Sequence, residues 1–150
     1  MKNEFWKTKS LQEMDKVEWE MLCDHCGRCC MFKLEDSDTG EIFYTNVVCK
    51  LLDVDTCSCT NYKNRRQIIR SCICLSPGRL REMKWLPDTC AYKRLNRDLD
   101  LESWHPLISG NYVSVLTAGI SVAGKVISEN HVDMSKLEDF IIDWIDYNQL

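Results

Sequence analysis

The sequence Cys23-Asp24-His25-Cys26-Gly27-Arg28-Cys29-Cys30 places two Cys-x-x-Cys steps in series and ends on a fourth cysteine. A Cys-x-x-Cys step allows a tight turn to aim two sulfurs at one metal ion. Gly27 fits such a turn, because glycine accepts a positive φ angle without steric cost. This stretch therefore predicts a metal site and leaves the identity of the metal open.

Cys29 and Cys30 are adjacent, and neighbouring side chains tend to point apart. Ligation of one tetrahedral ion by both would then be strained. The sequence favours either two metals, one served by each cysteine, or a site in which one of the two is not a ligand.

The other six cysteines are dispersed: Cys49, Cys57, Cys59, Cys72, Cys74 and Cys90. None of them is spaced as Cys-x-x-Cys, so they become candidates because they share a small protein with residues 23–30. Ten cysteines in 150 residues lie below the density of a disulfide scaffold, which favours metal ligation. A structural zinc site takes four protein ligands, so nine or ten cysteines allow two sites.

Basic residues accompany the cysteines. Arg28 lies within the first stretch, and the segment between residues 59 and 72 has four basic residues and no acidic one: Lys63, Arg65, Arg66 and Arg70. They are candidates to neutralise thiolate charge or to donate hydrogen bonds to sulfur. The alternative is a solvated basic loop.

Zinc and iron–sulfur ligation both remain open. Cys23, Cys26 and Cys29 match the first three positions of a bacterial ferredoxin run, but Lys33 and Leu34 stand where that run has its fourth cysteine and a proline. A fourth ligand would have to come from a distant cysteine. Zinc tolerates such irregular spacing.

Composition limits the function classes. The net charge of −4 argues against nucleic-acid binding, because phosphate contacts need a basic face. No apolar run is long enough to cross a bilayer, and residues 1–10 do not resemble a signal peptide. We expect a cytoplasmic protein with reduced thiols, which binds a metal ion, has no membrane or nucleic-acid partner and leaves a protein partner open.

Two flanking helices are predicted. The pair Ser10 and Glu13 has the spacing of a capping box, and a stripe of core residues follows at helical spacing until the helix ends near Leu22: Leu11, Met14, Val17 and Met21. The pair Ser135 and Glu138 repeats the pattern before a C-terminal apolar face: Met134, Leu137, Ile141, Trp144 and Ile145.

Shorter elements are predicted between the flanks. One helix begins at Ser76 with Pro77 and ends before Pro87, and another begins near Asp88 and carries Cys90. Candidate strands are 42–48, 112–116 and 120–127. We expect an α+β fold, a single small domain over residues 1–150. Its centre, the metal-binding cysteine segment 23–90, is loop-rich and organised by cysteine-bound metal; the flanks 1–22 and 91–150 carry helices and a few short strands.

Few other residues suggest chemistry. His25 could replace a cysteine as ligand, but we expect an exposed loop residue; His105 is expected to be packed or capping, and His131 to lie at the surface. The chain has no P-loop and no Gly-x-Gly-x-x-Gly motif. No catalytic motif is identified, so the sequence leans against an enzyme without deciding the question.

The cysteine motifs resemble those of the YcgN-type bacterial proteins, within the YkgJ group of zinc- or iron-chelating (CxxCxxCC) domain proteins. The wider pattern is met by Cys23-x-x-Cys26-Gly-x-Cys29-Cys30, Cys49-x-x-Leu52, Cys59-x-x-Tyr62-x-x-Arg65 and Cys72, and YcgN-type features by Trp85-Leu86-Pro87, Cys90-Ala91-Tyr92 and Trp104-His105-Pro106-Leu107. Arg66 departs from a proline of the pattern, and Cys74 matches none of its cysteines. The resemblance implies metal binding. With Cys74 set aside, nine cysteines are predicted as metal ligands: Cys23, Cys26, Cys29, Cys30, Cys49, Cys57, Cys59, Cys72 and Cys90.

The predicted function is a metal-binding protein with one or more Cys-ligated zinc or iron centres of structural or carrier type. A related group of flagellin lysine methylases is similar around its cysteine motif and implies the alternative of an iron–sulfur redox protein or enzyme component. A further alternative is a zinc-stabilised interaction module that uses residues 104–108 as its surface.

Overall fold

The computed structural model describes residues 4–69, 72 and 75–146. These residues form two compact units that interleave along the chain. The helical unit comprises described residues 4–24 and 75–118, and the sheet unit comprises 25–69, 72 and 119–146. Helices and a few short strands confirm the α+β class, whereas the single domain over residues 1–150 stays a prediction.

The helical unit contains five short α-helices: α1 (Phe5–Thr8), α2 (Lys16–Met21), α4 (Ala91–Asn96), α5 (Pro106–Ser109) and α6 (Val113–Thr117). The 3₁₀ turns Leu11–Glu13 and Pro77–Glu82 complete it. The second begins with Pro77 after Ser76, as predicted. Cys90 is the N-cap residue of α4, so the predicted helix near residue 88 is confirmed with a slightly later start.

The core of the helical unit packs around Leu22, Leu86 and His105, each at most 1% exposed. The His105 ring bridges two segments, because its Nδ1 accepts a hydrogen bond from Leu107 N (3.0 Å) and its Nε2 lies 2.8 Å from Leu22 O. Tyr92 adds a second link, since its hydroxyl donates to Trp19 O at 2.7 Å. These bonds fix the end of α2, from which the chain continues into the cysteine stretch.

The sheet unit is built on a three-stranded sheet in the order β1 (Met31–Glu35), β2 (Ile42–Val48), β5 (Ile127–Ser128). The β1–β2 pair is antiparallel with a bulge between Met31 and Lys33, and β2–β5 is parallel. A small hairpin joins β3 (Leu52–Asp53) to β4 (Ser58–Cys59), and α3 (Arg65–Ile68) follows. The strand predicted over 42–48 is confirmed.

Five buried residues form the core of the sheet unit: Met31, Val48, Leu52, Cys57 and Val122. Gly27 lies against this core with φ +80°, and a Cβ there would overlap Cys57 Sγ and lie 2.7 Å from Val122 Cγ2. The backbone of Val122 donates to Cys26 O at 2.9 Å. The cysteine stretch therefore rests directly on the core because residue 27 has no side chain.

The N-terminal helix differs from the prediction. The Ser10–Glu13 capping box is present, but it closes only a 3₁₀ turn, and a second capping box of Asp15 and Glu18 begins α2. An N-cap residue is extended, so one helix does not run through Asp15. The predicted core stripe is wrong in its second half, since Val17 and Met21 are 68% and 42% exposed.

The predicted C-terminal helix is wrong. Met134–Phe140 forms 3₁₀ turns, and Ile141 then pairs with Thr45 while Ile142 N donates to Tyr44 O at 2.9 Å. Pairing with β2 draws the chain into an extended conformation. Ile142 and Ile145 reach the sheet-unit core from this segment rather than from a helix face.

Two predicted strands also differ. Residues 113–117 form α6, because the Asn111 side chain accepts from Ser114 N and Ser114 Oγ donates to Trp104 O, which closes a helical turn despite β-branched residues. Within 120–127 only Ile127 belongs to a strand. The positive φ angles of Gly119 and Gly124 turn this segment toward residues 26 and 54.

Stability should fall with acidification through His105. Burial lowers the pKa of His105 below its ordinary 6.5, although the bond to Leu22 and the charge of Asp24 raise it. The neutral ring thus stabilises the fold fully above about pH 6.5, and this contribution is lost as the pH falls through the folded-state pKa. Urea unfolding followed by circular dichroism should show His105→Asn, which keeps a capping acceptor, about 1–3 kcal/mol less stable at pH 7.5. The difference in free energy of unfolding between the wild type and His105→Asn should be smaller at pH 5. If the free energies of the two proteins change in parallel with pH, the prediction is contradicted.

Gly27→Ala should destabilise the protein more than Gly119→Ala. Both glycines have positive φ, which costs alanine about 1–2 kcal/mol, but a Cβ at Gly119 meets nothing within 4 Å. Overlap with Cys57 and Val122 should add about 1–3 kcal/mol at Gly27. Urea unfolding measures both variants, and equal losses would show that the core does not press on residue 27.

Candidate metal centre

The cysteine stretch is a loop held by backbone hydrogen bonds. After Gly27 the chain forms the 3₁₀ turn Arg28–Cys30, closed by the bond from Cys30 N to Gly27 O (3.1 Å). Cys30 O then accepts from Cys49 N at 3.1 Å. The last bond brings the start of β1 and the end of β2 together and places Cys30 beside Cys49.

Cys29 interacts with the adjacent Cys30 thiol and is the first cause of its raised pKa. Both residues lie in the 3₁₀ turn Arg28–Cys30, and this geometry bears on the expectation that their side chains point apart. Successive residues of a 3₁₀ turn are about 120° apart around its axis, compared with the opposite faces of a strand. Whether the two thiols serve one metal or two stays a prediction.

Five thiols of the sheet unit influence one another electrostatically; we call them the thiol cluster: Cys29, Cys30, Cys49, Cys59 and Cys72. The bond from Cys29 and burial raise the pKa of Cys30, and the charges of Cys29, Cys49 and Cys72 raise it further. Burial raises the pKa of Cys72, with added contributions from Cys49, Cys29 and Cys59. This mutual repulsion disfavours the ionised form of the cluster's thiols, and a positive charge beside them would favour it.

Cys49 lies in a turn whose backbone N–H group donates a hydrogen bond to the cysteine sulfur. Its Sγ accepts a hydrogen bond from Leu51 N at 3.5 Å, and its carbonyl accepts from Leu52 N at 2.9 Å. Burial raises the pKa of Cys49, and the Leu51 hydrogen bond opposes that shift. Leu52 is buried in the core of the sheet unit. The Cys49-x-x-Leu52 motif thus joins a thiol to the core that supports it.

Arg65 provides a cation near Cys72. Its guanidinium stacks on the Tyr62 ring at 3.7 Å from Cζ to the centroid, and Nη1 donates to Tyr62 O at 2.7 Å. The charge of Arg65 lowers the pKa of Cys72 against the effect of burial. The Cys59-x-x-Tyr62-x-x-Arg65 spacing therefore fixes an arginine beside a thiol.

Lys33 is a charged neighbour that the sequence did not reveal. Its Nζ donates to Met31 O at 2.6 Å and to Cys29 O at 3.3 Å, and it lies 4.9 Å from the Tyr44 ring centroid. Burial lowers the pKa of Lys33 to about 8, and the charges of Cys29, Cys30 and Cys26 oppose that shift. A lysine three positions after four clustered cysteines is a signal of charge balance that could have identified it.

Arg28 points elsewhere. It is buried, its Nε donates to Ile120 O at 2.9 Å, and its Cζ lies 6.0 Å from the centroid of the Trp144 ring. Lys125 lies on the same ring at 5.6 Å. In this arrangement Arg28 fastens the cysteine loop to residues 120 and 144 of the sheet unit.

The remaining candidate ligands have different surroundings. Cys57 is 5% exposed within the apolar core of the sheet unit. Cys23 and Cys90 belong to the helical unit, where Cys23 influences Tyr112 and Cys90 influences Lys93. Cys74 and Arg70 lie outside the described residues.

The thiol cluster brings suitable donors together without closing a metal site. The nine cysteines described are thiols, none in a disulfide. Within residues 4–69, 72 and 75–146, no three side chains of His, Cys, Asp or Glu converge closely enough to hold one ion. Thiolates are soft donors that suit zinc or iron, and the nearby cations offset their negative charge. Ligation of one ion requires the thiols to turn toward a common point.

The histidines behave as predicted. His25 is exposed in the loop with φ +59°, His105 is buried and capping, and His131 is exposed. In the part of the chain that the structure describes, none of the helices has the length and apolar character to cross a bilayer.

Comparison with known proteins agrees with the motifs. Residues 22–91 match the family model CxxCxxCC, described as "Putative zinc- or iron-chelating domain". A UPF0260 protein of Cellvibrio japonicus is 54% identical over 141 residues, which cover 94% of this chain and 96% of the relative. A UPF0260 protein of Parvibaculum lavamentivorans is 47% identical, covering 93% and 92%, and one of Agrobacterium fabrum is 51% identical, covering 93% and 86%. No solved structure matches the chain. At this identity and coverage, the chain belongs to the UPF0260 family and carries its cysteine-rich, CxxCxxCC-type segment.

Proposed function

We propose that this protein binds zinc or iron through thiolates of the sheet unit, with ligands drawn from Cys26 and the thiol cluster. The observation that carries the proposal is the placement of Cys30 beside Cys49 by the hydrogen bond from Cys49 N to Cys30 O (3.1 Å), with three further thiols near enough to raise the pKa of their neighbours. Thiols that share a small volume in reduced form are costly once ionised, and a metal cation relieves that cost.

The proposed ligand set is smaller than the nine predicted cysteines. It contains six: Cys26, Cys29, Cys30, Cys49, Cys59 and Cys72. One tetrahedral ion needs four of them. Cys57 is left out because its sulfur packs against Gly27, Leu52 and Val122. Ligation by Cys23 and Cys90 stays a prediction from the sequence.

Charge balance supports a thiolate site. Four thiolates around a divalent ion leave a net charge of about −2. The charge of Arg65 acts on Cys72, and the Lys33 ammonium group, bonded to Cys29 O, interacts electrostatically with Cys26, Cys29 and Cys30. The N–H group of Leu51 adds a hydrogen bond to Cys49 Sγ. Such donors near sulfur orient the ligands and stabilise the bound ion.

The centre is proposed to be structural or to carry metal. An iron–sulfur centre is the competing proposal, because thiolates suit both zinc and iron–sulfur clusters. The two differ in content: a cluster contains inorganic sulfide and absorbs visible light, whereas zinc–thiolate is colourless.

Anaerobic purification from native cells, followed by metal and sulfide analysis, tests the proposal. We expect at least one equivalent of zinc or iron per chain. Acid-labile sulfide together with iron would assign a cluster, and zinc without sulfide would assign a zinc centre. A protein without stoichiometric zinc or iron, with all thiols reduced, would contradict metal binding.

Cys59→Ala and Cys57→Ala should differ in their effect on the metal content of the protein. The two cysteines lie two residues apart at the β3–β4 hairpin, so the substitutions are closely matched. Cys59→Ala should lower the bound metal per chain. Cys57→Ala should keep it and lower the free energy of unfolding by roughly 1 kcal/mol, the value of one buried methylene-sized group. Metal analysis and urea unfolding measure both effects; loss of metal in Cys57→Ala alone would reverse the assignment.

A further inference from the structure

Lys33 is fixed at the base of the cysteine loop. It lies on β1 opposite Tyr44 of β2, next to the bulge that follows Met31. The side chain folds back toward the loop, so that its Nζ donates to Met31 O at 2.6 Å and to Cys29 O at 3.3 Å. The face of the buried Tyr44 ring lies 4.9 Å from Nζ. Two carbonyls and an aromatic face therefore hold the ammonium group in one place.

Three thiols share this ammonium group as a charged neighbour: Cys26, Cys29 and Cys30. Two arginines of the sheet unit, Arg28 and Arg65, are directed to other places. Arg28 donates to Ile120 O, and Arg65 stacks on Tyr62 and acts on Cys72. Lys33 and Arg65 thus stand near different members of the proposed ligand set.

We propose that Lys33 is a positioning residue that strengthens metal binding, by offsetting the negative charge of metal-bound thiolates at Cys26, Cys29 and Cys30. Its bond to Cys29 O also holds the turn that carries two of these thiols. The inference rests on the metal-binding function proposed above and adds a residue that is not itself a ligand.

The direction of the effect follows from the charge of the site. Metal binding releases the thiol protons, so the site changes from neutral thiols to a complex of about −2. A fixed cation next to the thiolates favours the loaded state. Residues that support metal ligands in this way typically contribute 10–100-fold to metal affinity.

Neutral and charged substitutions of Lys33 separate the role of charge from the role of packing. Lys33→Gln keeps hydrogen-bond donors without the charge, Lys33→Met keeps length alone, and Lys33→Arg keeps the charge. Lys136→Gln is the control, because Lys136 is an exposed lysine of the same unit. Zn²⁺ affinity is measured on the full chain, anaerobically, by competition with a chromophoric chelator. Absorption of the Co²⁺-loaded protein reports the coordination geometry.

Both neutral variants should bind Zn²⁺ at least tenfold more weakly than the wild type, equivalent to 1.4 kcal/mol. Lys33→Arg should stay within about threefold, Lys136→Gln should be unchanged, and the Co²⁺ spectra should keep their bands. Wild-type affinity in a folded neutral variant would overturn the proposal. So would changed Co²⁺ bands with no rescue by arginine, or unfolding of both neutral variants beside a folded Lys33→Arg, because each outcome assigns Lys33 to the fold of the loop and not to the charge balance of the metal-bound site. A wild type that binds neither Zn²⁺ nor Co²⁺, and that carries no iron after anaerobic purification, would refute the proposed function instead.

Discussion

The close approach of the Gly27 backbone to the core of the sheet unit is the constraint on which the candidate site depends. Only a residue without a side chain, in a left-handed conformation, lets the loop lie against Cys57 and Val122. From that support the chain enters the 3₁₀ turn of Cys29 and Cys30 and continues into β1. The thiols of this turn are thus placed by the packing beneath the loop.

Hydrogen bonds then extend this placement to the other cysteines. Cys30 O receives the N–H group of Cys49, and Cys49 Sγ receives that of Leu51. Arg65 and Lys33 supply positive charge at different thiols. Each of these contacts acts on a cysteine through its backbone or through charge, so the positions of the thiols are specified by the fold. Within the described residues, no three candidate ligands converge on one point.

Much of this was predictable where a local rule decides the structure. β2 followed from its β-branched and aromatic residues, and the special backbone at Gly27 followed from its place in a Cys-x-x-Cys turn. The C-terminal segment was not predictable in this way, because Ile141 and Ile142 satisfy their backbone by pairing with β2, a long-range contact that outweighs helical periodicity. Cys57 shows the same limit. Spacing makes every cysteine a candidate ligand, and only tertiary packing reveals that one sulfur lies within an apolar core.

The contact between Arg28 and Trp144 places an indole ring beside the cysteine loop, with the Arg28 Cζ atom 6.0 Å from the ring centroid. Arg28 stands between Gly27 and Cys29 in the sequence, so a rearrangement of the loop alters the surroundings of this ring. The fluorescence of Trp144 is therefore a built-in optical signal for the state of the loop, and it needs no added label.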